Sequence, residues 1–104
     1  SIPRLLKVTP REDRSLVLEY DSGERKVFDV NPYISGSWYG ELGEIPYFNT
    51  VSVVSGGSGI AWPHGQDIAP HELYELSVRV DARPLVRERM SEAANSLPWK
   101  TTKF

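Results

Sequence analysis

The sequence predicts a small α+β domain, with a mostly antiparallel sheet built from β-hairpins, and three observations support this fold class. The chain has 104 residues, which is within the usual size range of one domain. Two strand-like stretches, 16–20 and 25–30, flank a turn that contains Gly23. An apolar stripe at helical spacing lies near the C-terminus. We expect residues 1–80 to form the α+β domain and residues 81–104 a C-terminal helical extension, packed on the same domain or on a partner.

The first hairpin has the clearest local pattern. If Tyr20 pairs with Glu24, the even-numbered positions of both strands share one face of the sheet. That face is predicted to enter the core through Leu16, Leu18, Tyr20, Phe28 and Val30. An earlier apolar stretch, 5–8, is followed by Pro10, which is typical of an edge strand or a turn.

The middle of the chain is predicted to be irregular. Residues 33–48 contain Gly36, Gly40, Gly43 and Pro46, so we expect a loop with at most one helical turn. The β-branched stretch 50–54 predicts a strand, 55–59 a glycine-rich turn, and 60–62 the second strand of another hairpin. Residues 63–67 are predicted to end that strand.

Two helices are predicted after this point. Pro70 suits the first position of a short helix over 71–76, with Leu73, Tyr74 and Leu76 on its buried side. Pro84 suits the first turn of a second helix, which runs to about Ser96. The apolar stripe of that helix consists of Val86, Met90, Ala93 and Leu97.

Composition narrows the classes of function. The net charge is −2, from 12 basic and 14 acidic residues, so the broad positive field of a non-specific nucleic-acid binder is missing. The absence of cysteine excludes disulfides, thiolate nucleophiles and Cys-ligated metal. Apolar runs are far shorter than the ~20 residues that span a bilayer. We therefore expect a cytoplasmic protein without a membrane or nucleic-acid partner.

The order of these segments resembles the bacterial family known as domain of unknown function 2442. The resemblance covers about Val8 to Glu75, and its most specific part is Ile60-Ala61-Trp62-Pro63-His64-Gly65-Gln66-Asp67-Ile68-Ala69-Pro70, followed by Glu72-Leu73-Tyr74-Glu75. The chain departs from the family at His64, where Asn is usual, and at His71, where Glu is usual.

The resemblance implies a small α+β fold without an established activity. Some members of that family carry a helix-turn-helix segment after this domain, and some are described as antitoxin-like or ligand-binding. A helix-turn-helix needs two packed helices, whereas the C-terminal part of this chain offers one good apolar stripe.

The loop 62–67 is the first candidate site. Trp62 has a large apolar face with one N–H donor, Gly65 allows close approach of the backbone, and Asp67 could orient a polar ligand. The alternative is purely structural. Trp62 would then fill the core, Gly65 would shape a turn, and Asp67 would cap the following helix.

An aromatic cluster is the second candidate site. Five aromatic residues occur within sixteen positions, namely Tyr33, Trp38, Tyr39, Tyr47 and Phe48. They are either all packed inside or partly exposed as a patch for a protein partner, because Trp and Tyr are favoured at interface hot spots.

Motifs for chemistry are incomplete. His64, Asp67 and His71 have a spacing that matches no standard metal-ligand motif, and the turn 55–59 lacks the lysine and the following helix of a phosphate-binding loop. Neither a nucleophile–base pair nor a metal motif can be assembled from the sequence. We therefore predict no catalytic residues, no cofactor and no metal.

Taken together, these patterns predict a non-enzymatic protein-interaction or regulatory module that binds a protein partner or a second copy of itself. An antitoxin-like role is one form that this function could take. The alternatives are a small-ligand-binding domain with its pocket near Trp62 and, third, an enzyme. The candidate binding residues are Trp62, His64, Asp67, Tyr33, Trp38 and Tyr39.

Overall fold

The computed structural model describes residues 1–80 of the chain, and they form two antiparallel sheets with short helices. The predicted α+β class, with hairpins as its main units, is confirmed. The strands are β1 (Leu5–Pro10), β2 (Ser15–Tyr20), β3 (Arg25–Asp29), β4 (Ser52–Val53), β5 (Ile60–Ala61), β6 (Asp67–Ile68) and β7 (Val78–Arg79). The helices are α1 (Gly36–Tyr39), α2 (Ile45–Phe48) and α3 (Pro70–Leu76).

The first sheet has the strand order β1-β2-β3-β7 and contains the predicted hairpin. The backbone N–H of Tyr20 donates to the carbonyl of Glu24 at 3.0 Å, and Gly23 has a φ of 92°, which the tight loop requires. Leu16 pairs with Phe28, and the five even-numbered residues predicted to face the core are all buried. β1 is an edge strand of this sheet that ends at Pro10, as expected.

The second sheet has the strand order β4-β5-β6. β4 and β5 form the predicted second hairpin across a glycine-rich turn, in which Gly57 and Gly59 both have positive φ. β6 was not predicted, because Asp67 was assigned to a strand-breaking loop. Its Asp67 instead pairs with Ala61, so β5 and β6 make a third hairpin.

The segment between the sheets contains more helix than the sequence predicted. Four short helical turns occur at Asn31–Tyr33, Gly36–Tyr39, Gly40–Gly43 and Ile45–Phe48, so the expectation of at most one turn is wrong. The glycines and Pro46 lie at the ends or in the first turn of these helices, where they are tolerated, and they do not interrupt them. Leu42 and Phe48 from this segment are buried in the core.

α3 begins at Pro70, as predicted, and it buries Leu73. The prediction that Leu76 is buried is wrong: Leu76 is 62% exposed because it ends the helix beside an open groove. Asp67 does not cap α3, since the N-cap residue is Ala69 and no side chain donates or accepts there. Val78 and Arg79 then return to pair with β3 as an unpredicted fourth strand.

The predicted C-terminal helix over 84–96 lies outside the described residues. In residues 1–80, no helix is both long and apolar enough to cross a bilayer.

Candidate functional site

The loop after Trp62 is a tight three-residue hairpin loop of the same form as the loop after Tyr20. The N–H of Trp62 donates to the carbonyl of Gln66 at 2.8 Å, and the N–H of Gly65 donates to the carbonyl of Trp62 at 3.0 Å. Gly65 has a φ of 104°, which a residue with a side chain adopts only under strain. The sequence Pro63-His64-Gly65 therefore places His64 at the tip of a rigid hairpin.

Trp62 belongs to the core. Its ring lies 6.0 Å from the ring of Phe48, and its indole N–H donates to the carbonyl of Phe48 at 2.9 Å. The residue is buried, so its aromatic face packs inside the domain. Trp62 therefore anchors the hairpin loop to α2 and supports His64 at the tip of that loop.

Gln66 connects three segments from a fully buried position, with 0% exposure. Its Nε2 donates to the backbone carbonyl of Trp38 and to Oε1 of Glu41, both at 3.0 Å. Its Oε1 accepts a hydrogen bond of 2.5 Å from the hydroxyl of Tyr47. Both amide hydrogens and the carbonyl oxygen of this side chain are therefore used, which is what a buried amide needs to avoid an unpaired polar group.

His64 lies on top of this network. Its ring is stacked on Tyr47, with centroids 4.9 Å apart and an interplanar angle of 23°. Its Nδ1 lies 2.8 Å from Oε2 of Glu41, in a hydrogen bond that the imidazole donates. The hydrogen bond from His64, and next the one from Gln66, lower the pKa of the Glu41 carboxyl below its usual value.

Trp38 forms the apolar part of the same surface. It is 52% exposed, although large aromatic side chains are usually highly buried. Its six-membered ring lies so close to Gly65 that a Cβ built there would be 3.4 Å from the indole. We call the group of Trp38, Glu41, Tyr47, His64 and Gly65 the Trp38–His64 surface.

The other predicted site residues are placed around this surface or away from it. The hydroxyl of Tyr39 donates to the backbone carbonyl of Asp67 at 3.3 Å, while the Asp67 residue is exposed. Tyr33 is elsewhere: its hydroxyl hydrogen-bonds Oε2 of Glu72 at 2.5 Å. Burial first, and then the Glu72 carboxylate, raise the pKa of Tyr33 to about 12.

Tyr33 lines an open groove of about 270 Å³. The groove is formed by Phe28, Asp29, Pro32, Tyr33 and Leu76. The structure thus places Trp38 and His64 on the Trp38–His64 surface and Tyr33 at this groove. Tyr39 and Asp67 contact each other, and Trp62 lies in the core.

The Glu41–His64 pair provides an oriented imidazole beside a half-exposed indole ring. Glu41 orients the imidazole of His64, as a carboxylate does in a catalytic pair, but a nucleophile would have to lie within hydrogen-bond reach of the ring. Among residues 1–80, no hydroxyl makes that contact with the imidazole. His64, Asp67 and His71 do not form a ligand cluster, and in the described part of the chain no group of three potential metal ligands occurs.

Sequence reasoning missed Glu41 and Gln66. A glutamine between a glycine turn and a strand reads as an ordinary polar loop residue, and Glu41 lies 25 positions before it. One signal was available: Gln66 follows the glycine of a three-residue hairpin loop, so it closes that loop directly before β6.

These features define a small antiparallel α+β domain that presents a half-exposed tryptophan and a Glu–His pair on a hydrogen-bonded support. Residues 5–79 match the family described as "Protein of unknown function (DUF2442)", which covers more than two thirds of the chain. The chain therefore belongs to this family, as the resemblance predicted. No curated protein and no solved structure matches it.

Proposed function

We propose that this domain is a non-enzymatic protein-interaction module and that the Trp38–His64 surface is its contact site. One observation carries the proposal: Trp38 is 52% exposed, yet its backbone carbonyl is held by the fully buried Gln66. An exposed tryptophan on a fixed backbone has the character of an interface hot spot, because binding would bury a large apolar area.

The polar groups beside Trp38 fit the same role. Glu41 and His64 pair with each other at 2.8 Å, and the stacked Tyr47 ring limits the motion of the imidazole. A partner that covers Trp38 would therefore meet an ordered polar rim, which costs less conformational entropy than a mobile one. A regulatory role, such as that of an antitoxin, would be one form of this function. The proposal places the domain in the cytoplasm, in keeping with its lack of cysteine.

The experiment compares native complexes of the wild type with those of Trp38→Ala. Tagged wild type and tagged Trp38→Ala are each used to isolate partners from cells that naturally make this protein. Each captured partner is then titrated against purified wild type and purified Trp38→Ala. We expect one saturable, stoichiometric partner, whose affinity falls by about tenfold or more in Trp38→Ala, as for a hot-spot tryptophan. The matched control is Leu6→Ala, which removes another exposed apolar side chain, 56% exposed, from β1.

Two results would contradict this function. The first is that no partner binds saturably, either as a different protein or as a second copy detected by solution mass. The second is that Trp38→Ala and Leu6→Ala weaken the partner equally, because the Trp38–His64 surface would then have no special part in binding.

A second candidate function is small-ligand binding, and the groove beside Tyr33 favours it. Its volume of about 270 Å³ is just below the range of roughly 300–1,000 Å³ typical of ligand sites. This site differs from the predicted pocket near Trp62, whose side chain is in the core. A metabolite that raises the melting temperature of the wild type, but not of Leu76→Asp, would support it. If no compound in a broad metabolite set shifts the melting temperature, small-ligand binding is contradicted.

A further inference from the structure

Three hairpin loops of this domain share one backbone form, and they end at Arg14, Gly23 and Gly65. In each, the residue before the loop donates its N–H to the carbonyl four positions later, and the last loop residue donates back to the first. All six hydrogen bonds are between 2.8 and 3.0 Å long. The last loop residue has positive φ in each case, at 65°, 92° and 104° respectively. The first loop therefore has an arginine where the other two have glycine.

Arg14 is strained at this position. Among residues 1–80, it is the one residue other than glycine with positive φ, a conformation in which the Cβ crowds the following carbonyl oxygen. Its neighbours hold it there: the carbonyl of Arg14 accepts the N–H of Val30 at 3.0 Å, and Asp13 accepts both the N–H and the hydroxyl of Ser15. Strain of this kind, where the surroundings fix it, indicates a role for the side chain that glycine could not fill.

The side chain of Arg14 reaches a carbonyl 29 positions away. Its Nε and Nη2 donate to the backbone oxygen of Gly43 at 3.2 and 2.6 Å. Gly43 is the last residue of the helical turn Gly40–Gly43, where carbonyl groups lack a partner within the turn and carry partial negative charge. A guanidinium suits this oxygen because its planar fork delivers two charged donors from one fixed direction.

Gly43 lies at the junction of the two helical turns that support His64. Glu41 belongs to the turn before the junction, and Tyr47 belongs to α2 after it. Glu44 connects the two, because its N–H donates to the carbonyl of Glu41 at 3.1 Å and it is the N-cap residue of α2. Glu41 hydrogen-bonds the imidazole and Tyr47 stacks on it. The placement of Gly43 therefore sets the placement of both groups around the ring.

We propose that Arg14 is a positioning residue of the Trp38–His64 surface. Its strained backbone directs the guanidinium onto Gly43, and this contact fixes Glu41 and Tyr47 on either side of the imidazole. The effect of Arg14 on binding rests on the proposed function, since it assumes a partner for that surface. Its effect on the order of the surface does not depend on a partner.

The test uses Arg14→Gly and Arg14→Lys in the full chain. Arg14→Gly removes the strain together with the fork and gives this loop the residue found in the other two, so the domain should remain folded. Arg14→Lys keeps the charge and one donor but not the fork. The matched control is Arg11→Gly, which removes an arginine of the same hairpin whose Nε donates to Ser15 at 3.2 Å.

Hydrogen exchange measures the order of the junction. The N–H of Glu44 lies at the junction and that of Phe48 donates to the Glu44 carbonyl at 2.8 Å, whereas the N–H of Leu73, in α3, is the internal control. In Arg14→Gly we expect the first two amides to exchange about tenfold faster and the third to be unchanged, because opening is confined to the segment that loses its contact. Arg14→Lys should restore part of the protection, and Arg11→Gly should match the wild type.

Two further readouts concern the surface itself. We expect the pKa of the Glu41 carboxyl to rise towards its usual 4.5 in Arg14→Gly, since its hydrogen bond from His64 is loosened. We also expect the affinity for a partner captured by the wild type to fall about three- to tenfold in Arg14→Gly, the effect of freeing one or two side chains at an interface.

Several outcomes would overturn the proposal. One is that Glu44 and Phe48 exchange no faster in Arg14→Gly, or that all amides accelerate equally, because Arg14 would then serve only the fold as a whole. Another is an unchanged partner affinity in Arg14→Gly when Trp38→Ala weakens binding. If Trp38→Ala weakens no partner, the proposed function fails, and the exchange rates and the pKa of Glu41 decide for or against the role of Arg14.

Discussion

The hydroxyl of Tyr47 donates a 2.5 Å hydrogen bond to the buried side chain of Gln66, and this bond joins the surface of the candidate site to its support. The same hydroxyl accepts a hydrogen bond of 2.8 Å from the backbone N–H of His64. The positions of His64, Tyr47 and Trp38 are therefore coupled through one amide. Removing that amide should affect both the stability of the domain and the order of its contact site.

We predict that Gln66→Leu destabilises the domain by about 2–3 kcal/mol, because it leaves part-buried hydrogen-bonding groups of Tyr47, Glu41 and Trp38 without their partner. Urea denaturation measures this as a lower midpoint at an unchanged m-value. Ser52→Ala, at an exposed position of β4, is the control. A loss as small as that of the control would show that water replaces the amide at no cost.

We predict that Gly59→Ala is much more harmful than Gly23→Ala, although both glycines have a φ of 92°. A Cβ at Gly23 meets nothing within 4 Å, whereas at Gly59 it would lie 2.5 Å from the carbonyl oxygen of Ile68. Positive φ alone costs about 1–2 kcal/mol. The clash in Gly59→Ala should add about 1–3 kcal/mol, the usual cost of forced backbone shifts. Equal midpoints of urea denaturation for the two variants would contradict this.

We predict that the pKa of Glu41 is below the usual 4.5 and rises in His64→Ala, because the imidazole hydrogen bond is the main cause of the lowering. Nuclear magnetic resonance titration of the carboxyl measures both values. Glu24 is the internal control, since the pKa of its carboxyl is lowered by Tyr74 and Ser22 and should not respond to His64.

The same shift predicts a pH dependence of stability. A carboxyl whose pKa is lower in the folded state stabilises the fold above its unfolded pKa, and this contribution is lost as the pH falls through the folded pKa. As the pH falls below about 5, the wild type should therefore lose more stability than Glu41→Gln. Parallel stability curves for the two proteins over this range would rule out a pairing of Glu41 with His64 in solution.

We predict opposite effects for two hydroxyl deletions in neighbouring rings. The Tyr20 hydroxyl is buried without a hydrogen-bond partner in the described residues, and burial raises the pKa of Tyr20 to about 12. Tyr20→Phe should therefore be neutral or stabilising by up to about 1 kcal/mol. The Tyr74 hydroxyl donates to the Glu24 carboxylate at 2.7 Å, so Tyr74→Phe should cost about 1–3 kcal/mol. A destabilised Tyr20→Phe would reveal an unseen partner, for example a bound water.

The first two hairpins and α3 were predictable because their signals are local. Gly23 lies between two alternating stretches, and Pro70 occupies the one helical turn where a missing N–H is harmless. In the candidate site, His64 and Trp38 were also predictable as residue types, since an aromatic cluster and a Gly-containing turn are visible in the sequence.

The remaining features depend on contacts between distant residues. Val78 and Arg79 form a strand because β3 offers them an edge, and a two-residue strand has no pattern of its own. Gln66 is buried because α1, the turn after it and α2 converge on its amide, so neither its burial nor its pairing with Glu41 follows from its neighbours in sequence. The sequence by itself thus determined the turns, the strand faces and the family. The tertiary structure alone decided which polar side chains meet, because long-range hydrogen bonds form only after the hydrophobic core has brought the segments together.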